Sequence, residues 1–154
     1  MAGALQIAVA VLSGTLLLGT LAEDPKSLQI QAEYARESNL KKRAKLAMQL
    51  VQERIKQLSA AYSTEVSGSP NEQIATCLAA LDLLESAVSK AANPGVFKNA
   101  EQHLRRQIHD LENLKMNVSA LERPDLEKVQ TRLVSLRQKF LYSIMNPQRE
   151  SAKK

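Results

Sequence analysis

Between residues 40 and 62, apolar side chains recur at steps of three and four. Leu40, Ala44, Ala47, Val51, Ile55, Leu58 and Tyr62 therefore hold one face of a helix. Upstream, Leu28, Ala32 and Ala35 continue the stripe more weakly, with Ser38-Asn39 as a possible bend, so a first long helix is predicted over 27–64. Three further stripes follow. Ile74, Cys77, Leu78, Leu81, Leu84 and Val88 form the second, and Phe97, Ala100, Leu104, Ile108, Leu111, Leu114, Val118 and Leu121 the third. Leu126, Val129, Leu133, Leu136, Phe140 and Ile144 make the fourth.

Ser67-Gly68-Ser69-Pro70, Asn93-Pro94-Gly95, Arg123-Pro124 and Asn146-Pro147 punctuate these stripes, because Gly and Pro interrupt helical backbone. Ser69-Pro70-Asn71-Glu72 has the form of a capping box, with the Ser69 hydroxyl and the Glu72 carboxylate capping reciprocally. Helices are predicted over 70–92, 96–121 and 125–145.

Short connections favour antiparallel neighbours, and near-heptad spacing favours coiled-coil-like packing. The chain is thus expected to be all-α: an up-down antiparallel bundle of three to four amphipathic helices over 23–146, with a basic polar tail over 147–154. A solenoid would require a recurring period of about 34–45 residues, and no convincing self-similarity is present.

The bundle is preceded by an apolar segment. Residues 1–22 carry no charged side chain, and the chain turns polar at Glu23-Asp24-Pro25-Lys26. With small residues at Thr20 and Ala22, this reads as a secretory signal peptide, although a basic n-region is missing. An uncleaved single-pass membrane anchor is the alternative, weakened by Ser13, Gly14, Thr15 and Gly19. The expected address is therefore export, to a bacterial periplasm.

Composition sharpens the helical reading. Aromatics make up 3 % of the chain, Trp is absent and there are five Gly, so strands bounded by glycine turns are not expected. The single cysteine, Cys77, has no internal disulfide partner and sits within an apolar stripe, as a core thiol does.

The candidate chemistry is sparse. His103 and His109 lie six residues apart, far from one another around a helix, so they read as solvated or groove-edge side chains and not as metal ligands. No phosphate loop, nucleophile elbow or Cys-x-x-Cys pair occurs, so neither an enzyme nor a cofactor is expected. Asn117-Val118-Ser119 matches a glycosylation acceptor but falls inside a predicted helix.

Charge is the remaining signal. The net balance is +5, and most basic residues are interleaved with acids such as Glu53, Glu101 and Glu112. Lys41, Lys42, Arg43 and Lys45 are the exception, four cations in five positions with no acid, and form a candidate interaction patch. Arg105-Arg106, the row Arg132, Arg137 and Lys139, and Lys153-Lys154 are secondary basic clusters. Nucleic acid is not expected as a partner, since stacking aromatics are nearly absent.

These features favour a non-enzymatic protein-interaction or scaffold module of the cell envelope, binding a protein partner, a second copy as a homodimer, or an anionic envelope surface. A small periplasmic helical chaperone or stress sensor is one alternative, though the Leu-Thr-x-x-Gln motif of one such group is absent. A ligand- or metal-binding bundle is another.

Overall fold

The long first helix expected from the sequence is broken. A computed structural model describes residues 24–63 and 69–147, and it places five helices there: α1 (Pro25–Arg36), α2 (Leu40–Ser63), α3 (Pro70–Ala91), α4 (Pro94–Asn117) and α5 (Arg123–Met145). The described chain is all-α, without a strand. The apolar segment 1–22, the connection 64–68 and the tail from Gln148 to Lys154 lie outside the described residues.

Neither Gly nor Pro makes the break between α1 and α2. Glu37 leaves helical geometry, at φ −74 and ψ 121. Its carboxylate accepts from the Asn39 amide at 2.8 Å. The Asn39 side chain then accepts from the Lys42 amide at 3.1 Å, and its carbonyl from the Arg43 amide at 2.8 Å, so Asn39 starts the new helix. α1 folds back along α2, where Lys26 pairs with Glu53 at 2.8 Å and Gln57 donates to the Ser27 hydroxyl at 2.7 Å.

Helix polarity follows from cross-helix pairs. Glu101–Arg137, Glu112–Gln130 and Lys115–Glu127 run in opposite order on α4 and α5, which are antiparallel. Asp82–Arg132 and Glu85–Lys139 run in the same order, so α3 and α5 are parallel. α2 and α4 are parallel too. Lys41 and Lys45 share a recess with Gly95 and Asn99, and Ser59 and Ser63 share one with Asn113 and Asn117 at the other end.

α2 packs chiefly on α3 and α4 on α5, whereas α3 and α4 touch little despite a two-residue link. The four long helices alternate up and down as expected, but as two hairpins side by side in the same sense, so that α2 neighbours α4 and α3 neighbours α5. The link explains the difference. Ala92 is left-handed (φ 44) and Asn93 extended, and together they carry α4 across to α2.

The core lies between the four long helices. Leu50, Leu81, Leu104, Leu133 and Phe140 are almost completely buried, and Ala44, Ala47, Ala80 and Ala100 let the backbones approach closely. Some stripe residues are not core: Leu28, Ala32 and Ala35 of the weaker upstream stripe are exposed on α1, which buries Ser27 and Ile30 instead. Leu40 is exposed in the first turn of α2, and Leu121, 91 % exposed, belongs to the connection after α4 ends at Asn117.

Helix starts also differ from expectation. Ser69 makes no side-chain cap, and its carbonyl accepts from the Glu72 and Gln73 amides instead. The working cap is Asn93, whose side-chain oxygen accepts from the Gly95 amide at 3.0 Å and the Val96 amide at 3.3 Å. Asn93→Ala is expected to lower stability by about 1 kcal/mol, checked by urea unfolding. An equal loss in Ser69→Ala would contradict this assignment.

Candidate functional site

Because α2 and α4 run parallel, their polar flanks meet along a groove. From α2 come Lys41, Lys45, Gln49 and Gln52, and from α4 come Asn99, Gln102, His103 and Arg106, each set repeating at helical spacing. The upper recess has a volume of about 620 Å³. An adjoining recess of about 820 Å³ is lined by Gln52, His103 and Arg106 again, with His109 and Asp110. Carboxamides and cations dominate both, and Asp110 is the sole carboxylate lining them.

His103 sits where the two recesses adjoin. It is only 6 % exposed, yet its Nε2 has no hydrogen-bond partner. Burial, assisted by the Arg106 charge, pushes its pKa down to about 4, against the opposing pull of a Met48 backbone hydrogen bond and Asp110. The ring is therefore uncharged at neutral pH. The expectation of two solvated or groove-edge histidines fits His109, which is exposed, but His103 is buried.

The four residues of the basic patch do not all lie on one surface. Lys41 and Lys45 line the upper recess, while Lys42 and Lys45 line a second one beside Glu33, Arg36 and Glu37 of α1. Arg43 turns away and stacks over the Tyr34 ring, 4.7 Å from its centroid, fixing α1 to α2. Arg43 is thus a structural cation.

The basic row Arg132, Arg137 and Lys139 is neutralised. Arg132 pairs with Asp82 at 2.7 Å and with Glu85, and Lys139 with Glu85 at 2.6 Å. Arg105 and Arg137 both pair with Glu101, at 2.9 and 2.8 Å. Glu101 and Glu53, two of the acids interleaved with the basic residues in the sequence, are buried. Burial raises the pKa of the Glu101 carboxyl, but hydrogen bonds from Arg137 and Arg105 outweigh it and hold the group below the ordinary carboxylate range. Among the described residues, Lys41, Lys42, Lys45 and Arg106 have no ion pair.

Arg106 was visible in the sequence only as half of Arg105-Arg106. His103 stood out only as one of two histidines, and Gln102 and Asn99 had no signal beyond lying beside the apolar stripe.

Cys77 is buried, and desolvation pushes its thiol up to about 12 despite the charge of Arg54, so it is not an activated nucleophile. Among the described residues, no group of three or more His, Cys, Asp or Glu is placed to hold a metal ion. No described helix is long and apolar enough to cross a membrane. Asn117 ends α4, and its side chain donates to the Asn113 carbonyl at 3.0 Å. No family model, curated protein or solved structure matches the chain.

Proposed function

We propose that the chain is a non-enzymatic, exported helical protein of the cell envelope that acts as a protein-interaction module. Its working surface is the α2–α4 face, and its partner is acidic there. The supporting observation is the contrast between two basic clusters. Arg132 and Lys139, between α3 and α5, are matched by Asp82 and Glu85, whereas Lys41, Lys42, Lys45 and Arg106 have no ion pair among the described residues.

Such a field steers an acidic partner and makes the association salt-dependent. Export rests on the apolar, uncharged segment 1–22 followed by an abrupt polar change.

A photocrosslinking residue at position 45, introduced in the native host, tests both halves of the reading. The expected product is a soluble envelope species whose mass lacks residues 1–22, joined to an acidic protein. The adduct should disappear when Lys41, Lys42 and Arg106 are replaced by Gln, with the thermal midpoint retained. A full-length species in the membrane fraction would replace export by anchoring. An adduct that survives the three substitutions would remove the cationic face from the mechanism.

A further inference from the structure

We propose that one end of the bundle docks on the surface of an anionic lipid bilayer. It is the end at which α2 and α4 begin and α3 and α5 finish. This goes beyond the acidic protein assigned above to the α2–α4 flank, although Lys41, Lys42 and Lys45 belong to both surfaces.

The topology collects the cations. Lys41, Lys42 and Lys45 stand in the first two turns of α2, Lys98 in the second turn of α4 and Lys90 in the last turn of α3. All five are exposed, and none has an ion pair among the described residues. The acids in the terminal turns here, Glu33 and Glu37 on α1 and Glu85 on α3, are fewer, and each accepts a hydrogen bond within the fold. At the opposite end the balance is reversed, with Glu72, Glu112, Glu122, Asp125 and Glu127 against Lys115, Arg123 and Lys128.

This placement runs against helix stability. A helix N-terminus carries partial positive charge and favours acids. The first turn of α2 nevertheless has no acid and holds Lys41, Lys42 and Arg43. Folding does not call for cations there, whereas a negatively charged partner does.

Shape decides the kind of partner. Exposed Leu40 starts α2, and exposed Tyr142 and Met145 lie in the last turn of α5. α2 and α5 do not touch, since each packs on α3 and α4, so they stand at diagonal corners of the bundle. Lysines and apolar side chains are therefore spread over the whole end, and no single recess gathers them. A planar bilayer meets them together: the lysines reach anionic headgroups while Leu40 and Met145 enter the boundary with the acyl chains. Met116 and Leu121 are exposed at the other end, but among acids that an anionic membrane repels.

The full chain is mixed with vesicles of phosphatidylglycerol and phosphatidylcholine in equal parts. Pure phosphatidylcholine sets the baseline for any contribution of residues 1–22. An environment-sensitive fluorophore is attached through Met145→Cys in one sample and Leu121→Cys in another, native Cys77 being buried. The label at 145 is expected to shift to the blue on anionic vesicles and not on neutral ones, and the label at 121 on neither. The response should vanish at about 0.5 M salt. Lys90→Gln combined with Lys98→Gln is expected to weaken binding to anionic vesicles by a factor of about ten or more. Arg123→Gln with Lys128→Gln removes the same charge from the other end and should change it less than about twofold.

No response at 145, equal responses at 145 and 121, or a response that survives replacement of Lys90 and Lys98 would overturn the proposal. A label at 145 that answers only to an acidic protein would also overturn it and give this end to protein docking. Neither Lys90 nor Lys98 lines the α2–α4 recesses, so the crosslink from position 45 should survive their replacement, and vesicle docking should survive Arg106→Gln. The two readings can thus fail separately.

Discussion

Replacing Phe140 with Ala is expected to lower the unfolding free energy by roughly 3–5 kcal/mol, the usual result of deleting a fully buried aromatic ring. Phe140 has no exposed surface and packs against Phe97, with ring centroids 6.0 Å apart and planes tilted by 50°. These are the only two phenylalanines in the chain, and the contact ties the start of α4 to the end of α5. Leu and Ala side chains dominate the remaining core, so no other aromatic ring is at hand to fill the void.

A domain of this size typically has a stability of about 5–15 kcal/mol, so the variant loses about a fifth of it or more. Phe140→Leu keeps most of the volume and should cost less than about 2 kcal/mol. Leu121→Ala, at a 91 % exposed position, should change stability by no more than about 0.5 kcal/mol. Urea unfolding of the three variants decides the matter. A loss in Phe140→Ala as small as that in Leu121→Ala would mean that the Phe97–Phe140 layer does not hold α4 to α5.

The stripes were legible because each long helix buries one continuous apolar arc. Ala44, Ala47, Val51, Ile55 and Leu58 occupy the core as their spacing requires, as do Leu104, Leu111, Leu133 and Phe140. Two kinds of feature were not legible. The first is the sharpness of the turn at Glu37–Asn39: Ser38-Asn39 marked a bend within one helix, whereas side-chain-to-backbone hydrogen bonds end the helix there, and Lys26–Glu53 and Gln57–Ser27 hold α1 back along α2. Those last pairs join residues 27 and 30 positions apart, a separation that periodicity cannot report.

The second is the width of the buried arc on α4. This helix packs against α2 on one flank and α5 on the other, so it buries His103 and Gln107 toward α2 and Glu101 toward α5, beside its apolar stripe. A polar residue on the flank of an amphipathic helix ordinarily faces water. Only the placement of two neighbours, fixed by the Ala92–Asn93 link, turns these positions inward. The four cations of the basic patch are divided between surroundings for a related reason. Four consecutive-looking cations cannot share one face of a helix, so Arg43 meets Tyr34 while Lys41 and Lys45 meet the groove.

The same inward turn of His103 makes stability depend on pH well above the carboxylate range. In the folded chain its pKa lies at about 4, against an ordinary value of 6.5. Below pH 6.5 the unfolded chain takes up a proton that the folded chain refuses. Stability is therefore complete above pH 6.5 and falls as pH drops toward about 4, by roughly 3 kcal/mol in total. The charges around the ring are Arg106 and Asp110 on α4 and Lys41 and Lys45 across the groove, so the surroundings are net cationic and oppose protonation.

Glu53, Glu85 and Glu101 have the same sign of effect in a lower window. Burial raises the pKa of Glu53 and Glu101, but hydrogen bonds from Lys26 and Lys56, and from Arg137 and Arg105, leave both below the ordinary range. Glu85 is lowered chiefly by Lys139 and Arg132. Their contribution is present above the ordinary carboxylate pKa of 4.5 and disappears as pH falls through their lower folded values. The two windows can be separated by measuring urea midpoints at constant ionic strength between pH 7 and pH 3. His103→Gln should flatten the limb between 6.5 and about 4 while preserving the acid limb, with replacement of exposed His109 as the control for losing a histidine as such. If His103→Gln keeps the wild-type slope in the upper window, the buried neutral ring is not the source of the acid sensitivity.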